Sequence, residues 1–482
     1  MLHHLPTSVE VPRYRRDQLS PGIVHIGVGN FHRAHQAWYL HRLMQQGLAY
    51  DWAIVGAGVR PADTEMRDKL LAQDCLTTLI ELAPYGSRAE VIGSLIDYVP
   101  VGADNRALIA AMTAQNCRIV SLTVTEGGYY IDTATGAFDA DHPDIRHDAN
   151  KPSEPRTAFG AIVAALRHRR EAGLGPFTVL SCDNLQGNGG IARQVVVSLA
   201  SFIDPDLSCW IDTQCSFPNS MVDSIVPATG PHERSLAASL GVVDQVPVTH
   251  ENFRQRVIED DFCAGRPDWD QVGATFTDNV HGYEAMKLRI LNGGHQVLAN
   301  AGELLGVPTI DRCISHPQIG AFFVKVQNDE ILPHVVDVPG LRSTDYLSRV
   351  VCRFSNPAVK DTTRRVAFDG SARHTGFILP VLRDAVKIGT PIEGLALTEA
   401  LWARMCAGTR DDGSEIEPND PKWSQLRRAA IEAQNKPSRW LDQTDVYGDL
   451  ASNRRFSAAF DKWLKTLWEV GTFETLNQYI TM

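Results

Sequence analysis

Lys287, Asn292 and His295 share the segment YEAMKLRILNGGH, residues 283–295. On a regular helix, with Lys287 at 0°, Glu284 falls near ~60°, His295 near ~80° and Asn292 near ~140°. Four polar groups then occupy one broad face. Leu291 and Leu298 fall within about 40° of Lys287, so the lysine sits on an apolar stripe. Burial of that stripe would desolvate the ammonium, disfavour its charge and make the lysine a competent general base. The rival reading is a helix whose lysine reaches out to water and whose Asn and His are satisfied locally. Adjacent glycines at 293 and 294 cost a helix ~1 kcal/mol each and call for a close approach of ligand or neighbouring backbone.

A second polar group ends a strand at SCDNLQGNGG, residues 181–190. Asn184 there could donate an amide hydrogen bond, or could simply form a turn. Asn184 and Asn292 together could hold a developing alkoxide without a metal. A third group is Gly27-Val28-Gly29-Asn30-Phe31-His32-Arg33, between a predicted strand and a predicted helix. The glycines permit a tight turn and let backbone approach a pyrophosphate at a helix N-terminus. The third glycine of the fingerprint is absent, and His32 stands in its place. An acidic residue after the second strand would hold the adenosine ribose, and Asp63 is best placed to do so. Arg60 could accept a 2′-phosphate, but a carboxylate at Asp63 repels one, so NAD is expected over NADP. Thr125 and Glu126, with Gly127 and Gly128, close the third strand where a loop could pass a cofactor.

These groups need a scaffold that brings strand ends together. Apolar runs at 22–28, 52–58, 117–125 and 177–182 read as strands, and 34–47, 158–172 and 191–203 as helices. Strands alternating with helices make a parallel sheet covered on both faces. The segment 142–155 reads as an ordered surface loop. From about residue 283 the apolar spacing becomes helical, as at 283–305, 316–330, 395–406 and 456–468. The expectation is an α/β protein. A Rossmann-like doubly wound domain over 1–275 precedes a mostly α-helical substrate domain over 276–482.

The chain of 482 residues exceeds what one hydrophobic core supports. A net charge of −11 argues against a nucleic-acid partner. No apolar run is long enough for a membrane span, and residues 1–16 lack the core of a signal peptide. The nine cysteines are scattered without any Cys-x-x-Cys, so neither a disulfide framework nor a zinc site is expected. A cytoplasmic enzyme with reduced thiols follows from this pattern. No feature argues for more than a monomer or weak oligomer.

The runs GIVHIGVGNFHRAHQAWYL, SLTVTEGGYY, SCDNLQGNG, NSMVDSIVP and EAMKLRILNGGHQVLAN resemble the polyol-specific long-chain dehydrogenases, the mannitol 2-dehydrogenase group among them. The resemblance covers about residues 20–475. Its most specific elements are the Lys-x-x-x-x-Asn-x-x-His of Lys287, Asn292 and His295 and the Gly-x-Gly-x-Phe-x-Arg-Ala-His of Gly27 to His35. It implies metal-independent, NAD-dependent oxidation of a secondary hydroxyl of a linear sugar alcohol to a ketose. Mannitol with fructose is the leading pair, and arabinitol and sorbitol are alternatives. It further implies that Lys287 is the base, that Asn184 and Asn292 hold the oxygen, and that His295 orients the substrate. Glu284 would pass the proton to solvent, and Asp223, Arg365 and Arg373 would bind substrate hydroxyls. Three positions depart from the family pattern. Ser224 replaces an expected Arg, Gly376 an expected Lys, and Gly127 an expected Lys. They bear on which substrate is read. The rivals are a fructuronate-type hexuronate reductase, which would want an additional cation, and a non-catalytic nucleotide-binding regulator.

Overall fold

The computed structural model describes residues 5–132 and 136–482. The chain divides into two compact units, Met1–His281 and Gly282–Met482. The division falls inside the helix Val280–Met286, a little beyond the expected 275.

The first unit contains strands β1 (Pro21–Ile26), β2 (Ala53–Ala57), β3 (Thr77–Ala83), β4 (Gly86–Ile92), β5 (Leu95–Tyr98), β6 (Ile119–Leu122), β7 (Thr178–Ser181), β8 (Ser220–Asp223), β9 (Val248–Glu251), β10 (Gln255–Ile258) and β11 (Thr275–Phe276). Its main sheet runs β5-β2-β1-β6-β7, with every pairing parallel. The chain leaves β1 towards β2 on one side and returns to β6 on the other. The carboxyl ends of β1 and β6 therefore flank a topological switch point, where ligands of doubly wound sheets bind.

Side-chain alternation explains why both faces are covered. Val24 and Ile26 join Val55, Ala57, Val120, Leu122 and Val179 in a core with the helices Arg106–Thr113, Ala158–Glu171 and Asn188–Ile203. Ile23, Ile54, Ile119 and Leu180 face the other way, towards the helix Gln36–Gln45 and strands β3 and β9. A one-residue slip of β1 would exchange these sets and present His25 to the wrong core, so the register is strongly specified.

Several expectations are corrected. The helix expected over 34–47 is two helices, Asn30–Ala34 and Gln36–Gln45, broken at His35 (φ −119°, ψ −84°). Two small sheets, β4-β3-β9 and β8-β10-β11, were not anticipated. The segment read as a loop holds a helix, Pro143–Asn150. His142 caps it by accepting the Asp144 N–H, and proline fills the first helical position, where its missing donor costs nothing.

The second unit is helical. Its central helix, Gly293–Leu304, is buried along its whole length. The helices Ile310–Ser315, Pro317–Val326, Thr363–Ala367 and Glu393–Cys406 pack around it. The C-terminal helix Arg454–Ile480 lies along Glu393–Cys406 and bends at Gly471. Three π-helical turns interrupt the helices: Lys287–Asn292, Gln327–Ile331 and His374–Ile378. The first packs against the other two. Among the described residues, no helix is long and apolar enough to cross a membrane. All nine cysteines are free.

Candidate active site

The turn after β1 adopts a shape that only glycine tolerates. Gly27 has φ +96°, and a side chain there would collide with the Thr123 carbonyl. Gly29 faces open space apart from the Gly27 carbonyl at 3.9 Å from a would-be Cβ. It caps the helix Asn30–Ala34 with no side-chain bond to the first N–H groups. A backbone turn with uncapped donors and room before it fits a pyrophosphate.

The polar side chains of this turn point inward. The buried Arg33 donates from Nε to the Gly29 carbonyl (3.3 Å), from Nη2 to Asn30 Oδ1 (2.7 Å) and from Nη1 to the Val246 carbonyl. Asn30 Nδ2 donates to the Pro227 carbonyl (3.0 Å) and to Thr229 Oγ1 (2.8 Å). His32, in the place of the third glycine, is buried and stacks on His25 with centroids 3.4 Å apart. Burial drives the His32 pKa well below its usual value, so the ring is neutral. Phe31 stacks on His35 at 4.9 Å. Within the protein, the side chains of Asn30 and Arg33 brace this turn and His32 packs on His25.

Asp63 opens the helix Asp63–Leu71 at the carboxyl end of β2. Its Oδ2 accepts the N–H groups of Val59 (3.0 Å) and Arg60 (2.9 Å) and so fixes the loop between strand and helix. Thr125 (φ +65°) and Glu126 lie exposed beyond β6, and Asn184 lies exposed beyond β7. Asp183, which sequence reasoning passed over, joins these two strand ends. Its carboxylate accepts the N–H groups of Val124 (3.0 Å) and Thr125 (2.9 Å) and the Tyr129 hydroxyl (2.8 Å). Burial raises its pKa against those bonds. Its position beside Asn184 was the available signal. Asp223 is buried at the end of β8.

In the second unit, Lys287 and Glu284 are both buried. The regular helix assumed above fails at Lys287, where the π turn begins. A π turn spans more residues than the usual 3.6, so each later residue rotates back towards Lys287. Asn292 and His295 therefore come nearer the lysine's side than regular spacing allows. The turn also frees backbone carbonyls, and Gln327 Nε2 donates to that of Ile290 (2.9 Å). The same Gln327 explains Gly294, since a Cβ there would stand 2.7 Å from Nε2 and 2.9 Å from Phe323.

Four polar atoms on this helical segment, Asn292 Oδ1, His295 Nε2, Gln296 Oε1 and Asn300 Oδ1, are buried without hydrogen-bond partners. The His295 ring stacks on Phe354 at 4.2 Å. Burial pushes its pKa down to about 3, opposed by Asp361 and reinforced by Arg365, Arg373 and Arg353. The structure thus gathers the two predicted arginines around His295 and adds Asp361 and Arg353. Arg365 forks onto Asp361 with contacts of 2.6 and 2.5 Å. Arg373 Nη1 donates to the Val366 carbonyl (2.6 Å). The i,i+4 spacing of Asp361 and Arg365 was the signal that could have revealed the pair.

Comparison with known proteins settles the family. Residues 21–271 match the mannitol dehydrogenase Rossmann domain, and residues 279–468 the mannitol dehydrogenase C-terminal domain. The chain belongs to the mannitol dehydrogenase family. It is 55% identical over 473 residues to mannitol 2-dehydrogenase of Cereibacter sphaeroides, covering 98% of this chain and 99% of that protein. A ternary complex of Pseudomonas fluorescens mannitol 2-dehydrogenase with NAD and D-mannitol is 38% identical with a TM-score of 0.90, covering 99% of this chain and 98% of that one. A substrate-free D-sorbitol dehydrogenase is 34% identical with a TM-score of 0.89, covering 98% of both chains.

Two departures from the mannitol dehydrogenase pattern lie in open space. A Cβ at Gly127 or at Gly376 would meet nothing within 4 Å, so packing does not demand either glycine. Ser224 instead donates to the Phe253 carbonyl (2.9 Å).

Proposed function

We propose that this chain oxidises the C2 hydroxyl of D-mannitol to the ketone of D-fructose, with NAD, and catalyses the reverse reduction. The observation that carries this reading is the buried Lys287 on a π turn, followed by Asn292 and His295, in a chain 55% identical to a mannitol 2-dehydrogenase. When bound, NAD supplies the hydride acceptor.

Lys287 takes the proton from the substrate hydroxyl as its carbon loses hydride. Asn184 and Asn292 donate amide hydrogens to that oxygen, holding charge that develops only in the transition state. Glu284, one turn before Lys287, passes the proton on to solvent. His295, neutral because of burial, exchanges hydrogen bonds with a neighbouring hydroxyl. Asp223, Arg365 and Arg373 hold the remaining hydroxyls. The turn Gly27–Gly29 and the N–H groups after it hold the pyrophosphate, Asp63 the adenosine ribose, and the Thr125–Glu126 loop borders the cofactor. The protein works as a monomer or weak oligomer in the cytoplasm, where nine free thiols stay reduced.

The test is initial rates of NADH formation with D-mannitol, D-sorbitol and D-arabinitol, each with NAD and NADP and a chelator, and NMR identification of the ketose. D-mannitol with NAD should be fastest, giving D-fructose. Preference for another polyol, or rates abolished by chelation, would overturn the reading. In Asp63→Ala the preference for NAD over NADP should narrow.

A further inference from the structure

We propose that Asp361 is a positioning residue that fixes His295 as a hydrogen-bond acceptor and Arg365 as a donor, so that together they read two neighbouring substrate hydroxyls. The inference rests on the polyol reading above and deepens it.

An Asp–Arg pair at i,i+4 is ordinarily a solvent-exposed feature of a helix surface that contributes little. This one differs. The Asp361 side chain is only 7% exposed, although Arg365 reaches outward. Its backbone is pinned as well. The Asp361 carbonyl accepts the Ile310 N–H (2.9 Å), Thr362 bridges to Thr309, and Lys360 before it adopts a left-handed φ of +51°. A non-glycine residue in that region persists only where its surroundings impose it.

From this fixed point the carboxylate faces two groups. Arg365 donates to it through Nε and Nη2, a bidentate arrangement that sets the plane of the guanidinium. Nη1 is left at the far edge of the fork, available as a donor. On the other side, Asp361 Oδ2 lies 4.0 Å from His295 Nε2, the buried nitrogen without a hydrogen-bond partner. That distance is too long for a hydrogen bond but close for electrostatics. The ring is neutral, so it carries one proton, and the carboxylate draws that proton to Nε2. The lone pair then sits on Nδ1, which must accept. Stacking on Phe354 holds the ring plane. A single carboxylate thus sets one acceptor and one donor. Adjacent hydroxyls of a polyol, one donating and one accepting, match that pair.

The first measurement needs no variant. Nitrogen-15 NMR of the histidine-labelled wild-type protein, with His295 assigned by its loss in His295→Gln, should show the proton on Nε2 near neutral pH. A proton on Nδ1 would overturn the proposal. The second is steady-state kinetics of Asp361→Asn. The KM for D-mannitol should rise about tenfold or more, with a smaller fall in kcat and an unchanged KM for NAD. Adding Arg365→Ala to that variant should cost much less than Arg365→Ala alone, because both act through one contact. A KM within twofold of wild type, or additive losses, would overturn it. If the wild type oxidises no polyol, the functional reading fails, while the NMR result still decides whether Asp361 sets the His295 proton.

Discussion

The turn after β1 and the π turn at Lys287 use their polar side chains differently, although each keeps a buried histidine nitrogen unpartnered, on His32 in the first and on His295 beyond the second. Around Gly27–Gly29, Arg33 and Asn30 spend their hydrogen-bonding capacity on the protein itself, bracing Gly29 against the segments that carry Val246 and Pro227. In the proposed function the backbone of the turn meets the ligand. Beside Lys287, Asn292 Oδ1 and His295 Nε2 are buried and unpartnered. An orphaned polar atom such as Asn292 Oδ1 is costly and persists where a ligand or ordered water completes it, while His295 Nε2 faces the Asp361 carboxylate. A pyrophosphate can be held by a generic backbone shape, whereas a polyol must be matched hydroxyl by hydroxyl. On the proposed function the two regions divide the work accordingly, one supplying shape and the other supplying chemistry.

This contrast can be broken in several ways, the largest effect first. Lys287→Ala should lower kcat for D-mannitol by about 10²–10⁴-fold, the range for a lost general base, as read from NADH formation. A rate near wild type would remove the lysine from the chemistry. Arg33→Ala should act on shape. It leaves the Val246 carbonyl and Asn30 Oδ1 without the arginine's donors and takes one of two donors from the Gly29 carbonyl, and should lower unfolding stability by ~2–4 kcal/mol and weaken NAD binding by about tenfold. Stability and NAD affinity both unchanged would show the brace to be idle.

Acid should separate the two units. Burial holds His25, His35 and His250 at about 3 and His32 well below its usual value, all in the first unit. In the second unit, His295 is held at about 3. Unfolded histidines take up protons below ~6.5 while these folded rings stay neutral. Proton uptake therefore favours unfolding as pH falls from about 6.5 towards 3, by up to ~1.4 kcal/mol per pH unit for each ring. Hydrogen exchange at pH 7 and pH 5 should show the first unit losing protection before the second, and the reverse order would contradict this. The smallest effect is expected at Gly376→Lys. The site is open and sits within a helical turn, so stability should rise by roughly 0.5 kcal/mol while the KM for D-mannitol falls a few-fold. A marked loss of stability would mean that the glycine is required.

Much of this plan was legible beforehand, and the omissions share a cause. The buried strands at β1, β2, β6 and β7 announce themselves as apolar runs, and the glycine turn follows from its place between strand and helix. The π turns leave no such trace. A switch from i→i−4 to i→i−5 bonding at Lys287 depends on Gln327, distant in sequence, capping the Ile290 carbonyl. The strands of the small sheets, such as TTLIELA, GSRAEVI and VTHE, interleave polar residues, so no continuous apolar run marks them. His32 looked like a cofactor contact because the fingerprint has a glycine there. Its stacking on His25 is visible only once β1 and the helix are packed. Asp183 and Asp361 do their work by holding neighbours, and no motif marks a residue of that kind.

The most direct test pairs two numbers on Lys287→Ala: its kcat on D-mannitol and its dissociation constant for NAD, measured by fluorescence beside the wild type. The division of labour predicts turnover reduced by about 10²-fold or more with NAD affinity unchanged. Turnover retained, or NAD affinity lost together with it, would contradict the account.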